Sequence, residues 1–347
     1  MMITSAHPTA SPELMDFSQF LAWSEGARRL TPEADQYCET RIAHSLRHLK
    51  PALGSPAVPS CAHRCDLVRL WSQRRGLQAH ARRVLASEGV RHSLQVIFRL
   101  LVQSGAAIAI PIDVYPVYWQ IASRARLSAV GFTTFPQFDL SRILDAAQEA
   151  GVHHVLLPYP LKLHGRAWTN EEVATAKAWL CADKQRRLIL DSVYSFGAQL
   201  DSITTQFIES DQVVFLDSLS KAWLHEQVFG VAVIPEQDVE FYSAAFRDLA
   251  PSPAKLIVAH ELLERFPDIP QQITQELDTK RAALLGRASR AKHQLLPVER
   301  GYLVAIECSA EILLTQHSLL AIPASAFGSR RSDWSVASAL PVAGASS

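Results

Sequence analysis

RRLILDSVYSF (186–196) and, further along, QVVFLDSLSKAW (212–223) decide how this chain is read. Each opens on a short, nearly continuous apolar run, the pattern of a strand buried on both faces. Each run then stops at an aspartate, Asp191 or Asp217, and polar or aromatic residues follow. Working outward, AAIAIP (106–111), LSAVGF (127–132), HHVLLP (153–158) and FGVAVIP (229–235) repeat the pattern. Helical segments separate some of these runs. DLSRILDAAQEAG (139–151) is amphipathic, with Gly151 as its stop. Thr169 to Ala182 opens on a capping box, Thr169 with Glu172. Upstream, 62–104 reads as helical, and Ser93–Gln103 has the dense apolar spacing of a buried helix, with Gly89 ahead of it.

Strands alternating with helices predict an α/β fold with a mainly parallel sheet sandwiched by helices. Residues 61–245 are assigned to this large domain. Residues 246–347 read as a smaller α+β domain, with a long helical stretch over 253–292 and short strands near 302–307 and 319–322. Residues 1–60, with helices expected around 13–24 and 32–49 and a Pro/Gly/Ser loop at 51–60, are assigned to the small domain. The tail after 340 is expected to fray.

The 347 residues suffice for two domains, and 48% are apolar. Lys plus Arg equals Asp plus Glu at 34 each, which removes the electrostatic case for nucleic acid or an anionic membrane surface. No GxGxxG or Walker loop occurs, so dinucleotide and P-loop sites have no support. No apolar run reaches the ~18 residues of a membrane helix, and the N-terminus lacks the pattern of a signal peptide. Five scattered cysteines (Cys38, Cys61, Cys65, Cys181, Cys308) suit reduced thiols and a cytoplasmic location. Cys61, His63 and Cys65 match no zinc spacing, so no metal is expected.

In open α/β sheets ligands bind beyond the carboxyl ends of the strands. There the sequence puts Asp191 and Tyr194, then Ser218, Ser220 and Lys221, with Tyr115 after AAIAIP and Gly89 before the buried helix. Each has work to do if the ligand is pyridoxal phosphate. Lys221 would form an imine with the aldehyde. Asp191 would pair with the pyridinium nitrogen and keep the ring an electron sink. Tyr194 would hydrogen-bond the ring hydroxyl and Tyr115 would stack on the ring. Gly89 with the amides of Val90 and Arg91 would meet the phosphate at a helix N-terminus, joined by Ser218. Taken singly, each has a plainer reading: a surface lysine, a strand-end cap, packing aromatics, a helix boundary.

The ordered set resembles the class I/II aminotransferase family of fold type I pyridoxal-phosphate enzymes. DSVYSF (191–196) is similar to its D-x-x-Y, DSLSKAW (217–223) to its S-x-S-K, and PIDVYPVY (111–118) to its P-x-P-x-Y-x-x-Y. GVRHSL (89–94) sits where the phosphate turn belongs, and FG at 327–328 is similar to a small-domain landmark. The resemblance covers roughly 85–335 and implies pyridoxal 5'-phosphate, an amino-acid substrate and a homodimer.

Three departures stand out. YPLKLHG (159–165) replaces the family's N-P-x-N-P-T-G, so Lys162 falls where an Asn bonds the ring oxygen; it either donates there or turns away and leaves Tyr194 alone. KAWLHEQVFG (221–230) lacks the phosphate arginine, a charge-assisted bond worth roughly 1.5–3 kcal/mol. DWSVASAL (333–340) lacks the carboxylate arginine, with Arg330 and Arg331 upstream as displaced candidates. Three readings follow: an aminotransferase-like enzyme with a place in specialised metabolite biosynthesis, a pyridoxal-phosphate enzyme of other chemistry (decarboxylase, lyase, replacement or cyclising synthase), and a non-enzymatic sensor or partner subunit.

Overall fold

The computed structural model describes residues 62–77, 82–114, 117–195, 200–218, 230–247, 251–290, 293–317, 319 and 321–339. The expectations for 1–60 and for the tail after 340 lie outside them. In chain order the elements are α1 (Ala62–Arg75), β1 (Val84–Ser87), α2 (Val90–Gln103), β2 (Ile108–Pro111), α3 (Val117–Ala125), β3 (Ala129–Phe132), α4 (Leu140–Glu149), β4 (His154–Pro158), α5 (Asn170–Ala182) and β5 (Arg187–Asp191). Then come α6 (Ser202–Ile208), β6 (Val213–Ser218), β7 (Gly230–Val233), α7 (Val239–Arg247), α8 (Pro253–Arg265), α9 (Ile269–Arg290), β8 (Leu303–Ile306), α10 (Ala310–His317), β9 (Ala321–Pro323) and β10 (Ser335–Ser338).

The first seven strands form one sheet in the order β1-β7-β6-β5-β4-β2-β3. The block from β3 to β6 is parallel, and β7 runs antiparallel to both its neighbours, β1 and β6. Successive side chains in a strand face opposite ways, and here both faces are apolar. Val155, Leu157, Leu188, Leu190, Val213 and Phe215 enter one core, while Leu156, Ile189, Val214 and Leu216 enter the other. That double burial is why these strands read as unbroken apolar runs.

Helix boundaries follow local chemistry. Thr169 Oγ1 accepts from the Glu172 amide at 3.2 Å, and Glu172 Oε2 accepts from the Thr169 amide at 2.6 Å. Gly151 follows α4 at φ +67°, in the left-handed region that glycine tolerates. The stretch expected to be helical over 62–104 is interrupted: VLAS (84–87) is a strand, paired antiparallel with β7. The long stretch over 253–292 is two helices, parted at Phe266–Asp268 around Pro267.

The second sheet is antiparallel, β8-β10-β9. Contacts join it to the large sheet. Phe135 packs edge-on against Trp334, with ring centroids 5.3 Å apart. α1 lies against α8, where Arg74 Nε donates to the Leu263 carbonyl at 2.9 Å. Residues 62–75 thus hold helices of both regions together.

Candidate functional site

The register brings Asp191, Ser218 and the start of the Gly89 turn to one rim. β4, β5 and β6 end side by side, with Pro158 opposite Asp191 and Asp191 opposite Leu216. Two residues on, Ser218 lies opposite Gly230, which in turn lies opposite Ser87. Ser218 and the turn after β1 are therefore two strand spacings apart, about 10 Å.

That turn is built around glycine. Gly89 has φ +144°, open to glycine and costly for other residues. Its amide donates to Ser87 Oγ at 3.3 Å, and Ser87 Oγ lies 2.7 Å from Ser93 Oγ. No side chain caps α2. The first amides of a helix, here those of Val90 and Arg91, lack intrahelical acceptors. A Cβ on Gly230 would stand 2.6 Å from Gly89 Cα and 2.9 Å from Ser87 Oγ, so the cradle closes only because residue 230 has no side chain.

Asp191 accepts from the Tyr118 hydroxyl at 2.5 Å and, through Oδ1, from the Val193 amide at 3.1 Å. Both bonds fix the orientation of the carboxylate. Tyr118, the last residue of the P-x-P-x-Y-x-x-Y match, was not assigned to Asp191 from the sequence; that match was the available signal. Tyr194 is half-buried, its ring 6.0 Å from that of Tyr302.

Lys162 lies beside Tyr194. It is 7% exposed, with Nζ 4.7 Å from the Tyr194 ring centre and 5.5 Å from that of Phe327. Its turn is fastened to the other sheet's approach, because the amides of Glu299 and Arg300 both donate to the Gly165 carbonyl, at 2.8 and 2.6 Å. Gly328, the glycine of the FG landmark, sits against the backbone of Ile112.

The arginines upstream of β10 are differently placed. Arg331 forks onto Asp333 at 2.8 and 2.5 Å and reaches Glu307 at 3.7 Å, with 45% of its side chain exposed. Its guanidinium is matched to surface carboxylates. Arg330 is exposed. Tyr115 and Lys221 lie outside the described residues, as do Cys61 and the side chains of His63 and Cys65. Among the described residues no three His, Cys, Asp or Glu side chains form a group that could hold a metal ion, and no helix is long and apolar enough to cross a membrane.

Two histidines and one carboxyl among the described residues are shifted far enough to bear on the response to acid. Burial pulls His154 and His164 down to about 4. His164 Nε2 donates to the Pro136 carbonyl at 3.1 Å, which a neutral ring can do. The unfolded chain protonates its histidines near 6.5. Their stabilisation is complete above that pH and is lost as pH falls through 4, by up to about 3 kcal/mol each. Burial raises Asp113 to about 6, despite bonds from Thr134 and Phe135. Its contribution has the opposite sign and is lost as pH rises through 6. Two histidines outweigh one carboxyl, so the melting temperature is expected to drop from pH 7 to pH 4.5. A flat profile by differential scanning calorimetry would contradict this.

No protein-family model and no curated protein sequence matches the chain. Solved structures do. The aspartate aminotransferase of Rhizobium meliloti superposes with a TM-score of 0.73 at 14% identity, covering 99% of this chain and 96% of that one. YbdL from Escherichia coli, described as having a methionine aminotransferase function, gives 0.71 at 16% identity over 95% of each chain. The pyridoxal-phosphate-bound C–S lyase of Staphylococcus hominis gives 0.67 at 16% identity, covering 89% and 88%. The fold of this chain is that of the fold type I aminotransferases and C–S lyases.

Proposed function

We propose that the chain is a pyridoxal-phosphate-dependent, aminotransferase-like enzyme acting on an amino acid. The observation that carries this reading is the order of groups along one rim: Asp191 held by Tyr118 at the end of β5, then Ser218, Gly230 and the Gly89 turn side by side. The cradle that a Cβ at Gly230 would fill, and the uncapped amides beyond it, suit a phosphate.

When bound, the cofactor supplies a protonated pyridine ring that accepts electrons from a bond broken at the substrate's α-carbon. Asp191 would pair with the ring nitrogen, and the Tyr118 hydroxyl would keep that carboxylate oriented. Tyr194, over whose ring Lys162 Nζ lies, would hydrogen-bond the ring oxygen. Tyr115 would stack on the ring. Lys221, three residues beyond β6, would bind the cofactor and move a proton at the substrate α-carbon as general base and acid.

The deciding experiment is borohydride treatment of the protein incubated with pyridoxal phosphate, followed by peptide mass mapping. The cofactor mass is expected on Lys221 and absent from Lys221→Ala. Unchanged yellow colour in that variant would refute the reading. Gly230→Ala is expected to weaken cofactor binding at least tenfold in an absorbance titration, because the phosphate turn must move; equal affinity would count against the cradle.

A non-transaminating pyridoxal-phosphate enzyme is the second reading, favoured by Lys162 at the ring and by Arg331's commitment to Asp333. Keto acid and pyridoxamine phosphate among the products would indicate transamination. Carbon dioxide, ammonia or a thiol would indicate the alternative. A homodimer belongs to the same proposal and is tested by light scattering.

A further inference from the structure

Two histidines meet in the second region, away from the rim. His293 lies three residues past α9, on the approach to β8, and His317 is the last residue of α10. Their Nε2 atoms are 3.1 Å apart, with ring centres 5.0 Å apart and ring planes crossing at 85°. Both rings are half-buried. Other histidines face carboxylates: His153 lies 3.2 Å from Asp183, and His260 lies 3.4 Å from Glu264. Among the described residues, His293 and His317 face each other instead.

We propose that His293 and His317 form a two-histidine site for a divalent transition metal of the zinc or nickel class. Metal–nitrogen bonds of about 2.0–2.1 Å, meeting at a square or tetrahedral angle, put two ligating nitrogens roughly 2.9–3.4 Å apart. The spacing of the pair falls inside that range. Without an ion, one Nε2 donates to the other. With an ion, both rings carry their proton on Nδ1 and both Nε2 lone pairs turn to the metal. The backbone on each side is already fixed. The Glu307 amide donates to the Gln294 carbonyl at 2.8 Å, next to His293, and the Leu319 amide donates to the Leu313 carbonyl at 2.9 Å, across His317. His317 also closes a helix, whose carbonyl end carries partial negative charge and favours a cation. Among the described residues no third His, Cys, Asp or Glu completes a cluster, so water fills the other positions and the ion exchanges freely. Bound there, it ties the end of α10 to the strand entry of β8. This site is independent of the cofactor reading above.

The test uses the full chain, purified with pyridoxal phosphate, freed of metal by EDTA and dialysis, and titrated with nickel chloride. Nickel is expected to bind and to raise the melting temperature, because it binds the folded state alone. His293→Gln and His317→Gln are each expected to weaken that binding at least about tenfold and to abolish the rise. His63→Gln, from the Cys61–Cys65 segment, is expected to change neither. Manganese is expected to bind more weakly than nickel, and magnesium to leave the melting temperature unchanged, as imidazole donors require. A nickel effect that survives both variants, or that His63→Gln removes, would overturn the proposal. So would a wild type indifferent to nickel, which would leave the pair as a nitrogen–nitrogen hydrogen bond only. A measurement on wild type covers variants that do not fold. Zinc chloride is expected to protect His293 and His317 together from diethyl pyrocarbonate in peptide mass maps, and equal modification with and without zinc counts against the site.

Discussion

Methionine at position 75 is expected to lower stability by about 3–5 kcal/mol, the usual cost of stranding a buried charge. Arg75 closes α1, and its Nη2 lies 2.7 Å from Asp217 Oδ2, with side chains 0% and 1% exposed. Burial pushes the Asp217 carboxyl up, and Arg75 pulls it back down. Take Arg75 away and the carboxylate must stay buried without its partner or take up a proton. Asp217 adjoins Ser218, whose amide donates to Asp217 Oδ1 at 2.7 Å. Loss of the pair therefore also loosens the strand end assigned to the phosphate. Replacing both partners, Arg75→Met with Asp217→Leu, is expected to recover most of the stability. Urea unfolding of the single and double variants checks this. A single variant as stable as wild type would show that the pair contributes little.

The second large effect belongs to Gly328. A Cβ there would lie 1.7 Å from the Ile112 carbonyl oxygen, and the residue sits at φ +98°. Backbone strain and overpacking each cost about 1–3 kcal/mol, so Gly328→Ala is expected to lose about 2–6 kcal/mol. The atoms in the way are main chain, so relief requires the 327–329 segment to retreat from β2's end. Phe327, whose ring faces Lys162, would retreat with it. Calorimetry gives the stability loss. A wild-type melting temperature would mean that the segment yields without cost.

The large sheet was legible because β2, β4, β5, β6 and β7 are covered on both sides, and continuous apolar runs leave little else to be. β1 was not. VLAS is four residues long, follows two arginines and a masking helical rhythm, and finds its pairing partner some 140 residues later. Pairing at that separation leaves no local trace. The break at Pro267 was visible in the letters, but the apolar spacing carried on across it. At the site, Asp191 and Ser218 could be read because strand ends are positions that a sequence marks. The bond from Tyr118 depends on which face of α3 turns toward β5, and the Arg75–Asp217 pair joins residues from opposite ends of the large domain. The engagement of Arg331 was foreshadowed by Asp333 two residues on.

The antiparallel seventh strand has one more consequence, for the growing polypeptide. β7 lies between β1 and β6 and supplies β1 with its neighbour in the sheet, Val84 facing Val233. A nascent chain leaving the ribosome can set five parallel strands in order while Val84–Ser87 waits without a mate. Only when Gly230 emerges can the Gly89 turn settle beside Ser218. The groove proposed for a phosphate is therefore the last part of the sheet to form, and a fragment ending before that glycine lacks one of its walls.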